Sequence, residues 1–182
     1  MTSPRFRAAA RGDAEKVGLL HAESWRRHYR GAYADAYLDG DVVQERVAEW
    51  SARLADQTGT ATVLAEDPAG LAAFVHVMFD KDDRWGSLVD NLHVSHDRQR
   101  GGIGAALMAR AAAAVASHAV RKAMYLWVLE QNTAAQGFYR AIGGTGLDLT
   151  PVPPPGGVPQ RLDGVPLMRR FVWPDLPDVV VR

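Results

Sequence analysis

The chain predicts an α/β fold: a mixed central sheet of about six to seven strands with helices on both faces. Three observations carry this. The run Met124–Leu129 is apolar almost without interruption, as a strand covered on both sides requires. Two helix-period segments, from Gly102 to about His118 and from Thr133 to Ile142, stand on either side of it. Shorter apolar runs recur between turn signals such as Glu66-Asp67-Pro68-Ala69-Gly70.

The elements follow in order. Arg5 to Ala10 reads as a first strand, closed by Arg11-Gly12. Asp13 is placed to N-cap a helix running to about Tyr29, in which Val17, Leu20, His21, Ser24, Trp25 and His28 share one face. The basic run Arg26 to Arg30 reads as a solvated helix end, and Gly31 stops the helix. A second helical segment, interrupted near Gly40, continues from Asp41 to Ala55 on a stripe of Val43, Val47, Trp50 and Leu54. Ala61–Ala65 and Leu71–Phe79 are strands, and Trp85–Val94 is the next. The segment after Gly102 is rich in alanine, the strongest helix former. Thr145–Leu149 and Pro166–Trp173 complete the strands. Between them 151–164 holds five prolines and three glycines and reads as a loop that covers the site or serves a dimer contact.

Composition bounds the function. A chain of 182 residues suits one domain, 1–182, burying roughly 70% of its unfolded surface. Lys+Arg and Asp+Glu are equal at 21 each, so no overall field draws nucleic acid or an anionic membrane. No stretch approaches the ~20 apolar residues of a membrane span, and the first residues carry no apolar signal core. With no cysteine there is neither a disulfide framework nor a thiol nucleophile, which fits a cytoplasmic protein. No metal site is assigned.

The run Leu92-His93-Val94-Ser95-His96-Asp97-Arg98-Gln99-Arg100-Gly101-Gly102-Ile103-Gly104-Ala105 joins a strand end, a basic turn and a glycine-opened helix. The first N–H groups of a helix lack internal partners and carry partial positive charge, so this is an anion cradle to which Arg98 and Arg100 add full charges. A diphosphate is its natural ligand. No Lys-Ser/Thr follows Gly104, which excludes a P-loop, and the glycines come too late after the strand for a dinucleotide fingerprint.

The order Gln99-x-x-Gly102-x-Gly104 resembles the acetyl-CoA signature of the GNAT superfamily of N-acetyltransferases. A second stretch, Asn132-x-x-Ala135-x-x-Phe138-Tyr139-x-x-x-Gly143, resembles that superfamily's other hallmark, at the junction of a strand and a helix. The two tyrosine-side positions have a physical sense: Tyr139 lies seven residues, two helical turns, beyond Asn132 and so on the same side.

The resemblance implies a single GNAT domain in which two parallel strands, 85–94 and 124–129, splay to admit acetyl-CoA. The amides from Arg100 through Gly101, Gly102, Ile103 and Gly104 to Ala105 would wrap the pyrophosphate. Backbone groups of Leu92, His93 and Val94 would follow the pantetheine and the acetyl carbonyl, Asn132 would bond the pantetheine arm, and Tyr139 would protonate the departing thiolate. The acceptor is then a primary amine of a small molecule, peptide or protein. Many relatives carry Glu where this chain has Leu88. Strand alternation puts Asp90 on the face of Leu88 and Leu92, as base or amine anchor, with His93 on the opposite face and His76 as further alternatives. That missing Glu also supports a rival reading, a CoA-binding regulatory module with little turnover. Trp25, Tyr29 and Tyr33 are candidates for an aromatic acceptor wall, and Trp25 suits a core position equally.

Overall fold

A computed structural model describes residues 4–176. The one-domain expectation for 1–182 also covers 1–3 and 177–182, which lie outside the described residues. The elements are β1 (Arg5–Ala8), α1 (Ala14–His28), α2 (Asp35–Asp39), α3 (Val42–Ala55), β2 (Thr60–Asp67), β3 (Gly70–Asp82), β4 (Gly86–Val94), α4 (Ile103–His118), β5 (Met124–Leu129), α5 (Thr133–Ala141), β6 (Thr145–Pro151) and β7 (Leu167–Trp173).

They build a seven-stranded mixed sheet in the order β1-β2-β3-β4-β5-β7-β6. Every neighbouring pair is antiparallel except β4 and β5. One face packs against α4 and α5 over a core that includes Val75, Val89, Leu107, Met108, Leu126 and Phe171. The alanines of α4 let it lie close, with Ala111 and Ala112 buried on the sheet. The other face carries α1 and α3, where Val17, Leu20, Trp50, Leu54, Leu64 and Phe74 form a second core. No described helix is long and apolar enough to cross a membrane.

β2 and β3 run longer than expected, β3 to Asp82 instead of Phe79, and two expectations change at the N-terminal end. β1 ends at Ala8, and Asp13 does not cap α1 with its side chain. Its carboxylate instead accepts the Ala10 N–H at 2.7 Å and a two-point bond from the Arg7 guanidinium. Arg7 also reaches Glu66 at 2.7 Å, so the pair stitches β1 to β2 and to the start of α1. A guanidinium so close holds the Asp13 carboxyl well below the ordinary carboxylate range.

The proline-rich loop is ordered and lies away from the cleft. Ala34 N–H bonds Arg161 O at 2.9 Å and Asp163 N–H bonds Ala32 O at 2.9 Å. Arg161 also pairs with Glu45 and stacks over Tyr37. The segment therefore fastens α2 and α3 to the β6–β7 end of the sheet.

Candidate active site

The site begins where the sheet fails to close. β4 and β5 share only two register pairs, Ser87↔Met124 and Leu88↔Tyr125. Beyond Leu88 the strands part, and residues 89–94 and 126–129 edge a cleft of about 470 Å³. α4 and α5 close its sides, and the end of α1 its mouth.

A β-bulge sets the inner geometry. In the β3–β4 ladder His76 faces Asn91 while Val77 faces Val89, so Asp90 is the extra residue. One added residue reverses the alternation beyond it. Leu92 and Val94 pack with Val89 against the α4 core. Asp90 keeps the face of Leu88 but not that of Leu92, and His93 lies on the Asp90 side instead of opposite. There Arg53 of α3 donates to Asp90 Oδ2 at 2.6 Å and the Asn91 amide donates to the same oxygen at 2.5 Å.

The floor under that end is polar and buried. The Ser24 hydroxyl and His93 Nδ1 are 2.7 Å apart, and the His93 ring lies 4.6 Å from that of His21. Trp50 Nε1 donates to His21 Nδ1 at 2.9 Å, and the Thr62 hydroxyl meets His76 Nδ1 at 2.8 Å. Because an indole N–H only donates, His21 Nδ1 must be unprotonated. Burial opposes the charged ring in all three: His76 is pushed down to about 4, His93 to about 3, and His21 well below its usual value.

The opposite end is made of backbone. Gly102 caps α4 at φ +78°, a left-handed conformation that glycine takes freely. Arg100 is also left-handed, at φ +64°. The Ala106 N–H closes the first helical bond onto Gly102 O, so the amides of Ile103, Gly104 and Ala105 have no intrahelical partner. Gly104 lets α5 approach, since a Cβ there would stand 3.2 Å from Phe138 Cζ. The Gln99 side chain bonds back to Val94 O at 3.3 Å and braces the turn. Arg98 contributes less than expected, because Asp67 holds its Nε at 2.6 Å. Arg100 is exposed and forms no salt bridge among the described residues.

On the β5 side, Asn132 Oδ1 accepts the Ala135 N–H at 3.1 Å and so caps α5, while the residue still lines the cleft. Tyr139, buried, lines it from α5, edge-on to Trp173. Burial raises its phenol above the ordinary value, with the Tyr29 phenol adding to the effect. Tyr29 lines the mouth, its own phenol pushed up to about 12 by burial and by Asp90. Trp25 does not line the cleft: it stacks behind Tyr29 at 5.3 Å, beneath Arg46, in the core shared with Tyr33 and Tyr37. Tyr33 likewise belongs to that core. The expected aromatic wall thus reduces to Tyr29, with Trp127 of β5 a cleft residue that sequence reasoning missed. Ser24 and His28 were also missed as site residues, although their four-residue spacing on α1 puts them on one edge.

The cleft thus brings together a helix start with free amides, a split parallel strand pair and a buried phenol, an arrangement that suits an acyl-CoA-type transferase. The comparisons agree. The model of the acetyltransferase (GNAT) family matches residues 20–143. The uncharacterized N-acetyltransferase YuaI of Bacillus subtilis is 28% identical over 135 residues, covering 74% of this chain and 76% of its own. The probable N-acetyltransferase Rv2775 of Mycobacterium tuberculosis is 32% identical over 140 residues, with the same two shares. Among solved structures, the PaiA N-acetyltransferase of Thermoplasma acidophilum in complex with coenzyme A superposes with a TM-score of 0.72 at 17% identity. That match covers 93% of this chain and 98% of the other. YncA of Salmonella typhimurium, solved with acetyl-CoA, gives 0.63 at 19% identity over 96% and 95%. The chain belongs to the GNAT family and is an acetyltransferase.

Proposed function

We propose that the protein transfers an acetyl group from acetyl-CoA to a primary amine of a small molecule or peptide, by direct attack with both substrates in the cleft. The parting of β4 and β5 after two rungs carries this reading, because it aligns a backbone anion cradle, two unpaired strand edges and Tyr139 along one opening. The residues present fit the donor. The amides of Ile103, Gly104 and Ala105, with Gln99, Arg100, Gly101 and Gly102 in the turn, suit its diphosphate. Leu92, His93 and Val94 offer a strand edge to the pantetheine, and Asn132, whose oxygen caps α5, keeps its amide hydrogens for the same arm. When bound, acetyl-CoA supplies an acyl group activated as a thioester.

The chain's own groups do the rest. A backbone N–H on the β4 edge holds the carbonyl oxygen, an interaction worth about 3 kcal/mol where developing charge is concerned. Tyr139 keeps its proton at neutral pH because burial opposes the phenolate, so it is available to protonate the leaving sulfur. Asp90 anchors the amine through Oδ1, its other oxygen being held by Arg53 and Asn91. An absence of cysteine and a metabolic donor fit a cytoplasmic enzyme.

Incubation with acetyl-CoA and a panel of primary amines should release free CoA, read with a thiol reagent. Tyr139→Phe should lower kcat about 100-fold while leaving the acetyl-CoA Kd within about two-fold. Unchanged turnover would remove Tyr139 as the acid. Tight CoA binding with no release for any amine would instead mark a regulatory CoA-binding module, the reading favoured by Leu88, whose neighbours are Met78 and Tyr125 and not an acid.

A further inference from the structure

An amine that arrives as an ammonium must lose a proton before it attacks, and most basic groups lining the cleft are already engaged. Asp90 is tied to Arg53 and Asn91. His93 is buried, with Nδ1 against the Ser24 hydroxyl and its ring against His21. Tyr29 and Tyr139 are already protonated, their phenols raised by burial. His28 differs from all of these. It ends α1, is half-buried, and lines the cleft.

His28 and Ser24 also line a second cavity on their far side. It has a volume of about 10 Å³ and is bounded by Glu23, Ser95 and His96. That is on the order of the room one water occupies, with the several polar partners a water requires. Glu23 and His96 are exposed. Ser24, His28 and Val94 line both cavities, so the polar part of the wall between the reaction cleft and this pocket is one hydroxyl and one imidazole, a helical turn apart.

We propose that His28 is the proton relay of the reaction, taking a proton from the acceptor ammonium and passing it through the small cavity to solvent at His96 and Glu23. In that step one ammonium N–H bond breaks and its electron pair becomes the lone pair that attacks the acyl carbonyl. The proton forms an N–H bond at the unprotonated nitrogen of the neutral imidazole, then leaves to water. The charges around His28 suit a transient carrier. The last carbonyls of α1 and Glu23 favour imidazolium, and Asp90 stands across the cleft mouth on β4. Burial opposes it most, followed by Arg27 on the same helix and His96 on the turn after β4, and the buried ring of His93 on β4 also faces it, so the ring rests neutral.

The relay rests on the acetyltransfer reading, and the test separates the two. kcat/KM is measured at saturating acetyl-CoA for phenethylamine, a cation at neutral pH, and for aniline, which is neutral. His28→Gln should lower the phenethylamine value about 100-fold near pH 7, recover to within about three-fold near pH 10, and leave aniline within about two-fold. Ser24→Ala, which opens the shared wall without touching the imidazole, should show the same split at about ten-fold. Equal losses on both amines, or no loss on phenethylamine, overturn the relay while acetyl transfer stands. Wild-type protein that releases CoA with neither of these amines nor any other of the panel overturns both.

Discussion

The two ends of the cleft are built from different materials. At the α4 end the ligand-facing groups are main-chain amides, presented by Gly102 and Gly104 within a few residues of one another. At the α1 end they are side chains from α1 and the residue after it, β4 and β5, namely Ser24, His28, Tyr29, Asp90 and Trp127, with Asp90 steadied by Arg53 of α3. Backbone cannot be altered by substitution except through the residues that let it approach, so in the proposed reaction the first end suits a ligand that does not vary. Side chains are freely exchanged, and in the proposed reaction the second end is the one suited to selecting an acceptor. Beneath it lie three neutral buried histidines, while beneath the first lies an alanine-rich helix.

That contrast can be broken first by acid. His21, His76 and His93 are folded as neutral rings, with values depressed below the ordinary 6.5. The unfolded chain takes up these protons as pH falls through about 6.5, and the folded chain does so only much lower. Stability is thus complete above pH 6.5 and declines below it, by about 1.4 kcal/mol per histidine per pH unit. At pH 5.5 the three together cost about 4 kcal/mol, a fall in Tm of about 10 °C relative to pH 7.5. Calorimetry at the two pH values checks this, and an unchanged Tm would mean that the rings are not held neutral. The carboxylates bound by Arg7 and Lys16 act in a lower window, because Asp13 and Glu66 are depressed from values already near 4.

The α4 end can be tested by closing it. Gly104→Val should crowd Phe138, forcing the start of α4 away from α5 at a cost of about 2 kcal/mol, or some 30-fold in the Kd for CoA measured by calorimetric titration. The amine KM should move little. The opposite end gives the mirror result at smaller scale. Asp90→Asn should raise the amine KM about ten-fold with the CoA Kd unchanged, and should shift stability by less than about 1 kcal/mol because Asp90 and Arg53 are both partly exposed. If either substitution affected both ligands equally, the division between the ends would be false.

The same division explains what was legible in the sequence. The α4 cradle is one contiguous stretch whose glycines mark where backbone must turn or approach, so Gln99-x-x-Gly102-x-Gly104 can be read directly. The last residue of α3 and both ends of β5 fall where the pattern puts them. The α1 end is assembled from residues far apart in the chain, and single-residue irregularities decide it. Alternation counts two residues per repeat and cannot register the extra one at Asp90, so it misplaces Leu92 and His93. Helical spacing puts Trp25 and Tyr29 on one face but does not say which ring lies in front. Arg98 reads as a free charge because Asp67 is 31 residues away. His28 sits in a basic run that resembles a solvated helix end, and only the cavity behind it distinguishes the two.

The two rungs that join β4 to β5 have a consequence for how the molecule is assembled. They are the main hydrogen-bonded seam between a four-stranded slab, β1 to β4, and a three-stranded one, β5 to β7. Each slab is antiparallel and complete in itself, so each is expected to acquire its ladder independently, with docking of the pair as the late event. A ligand lodged in the seam then acts as a keystone, and amide exchange in both slabs should slow together when it is present.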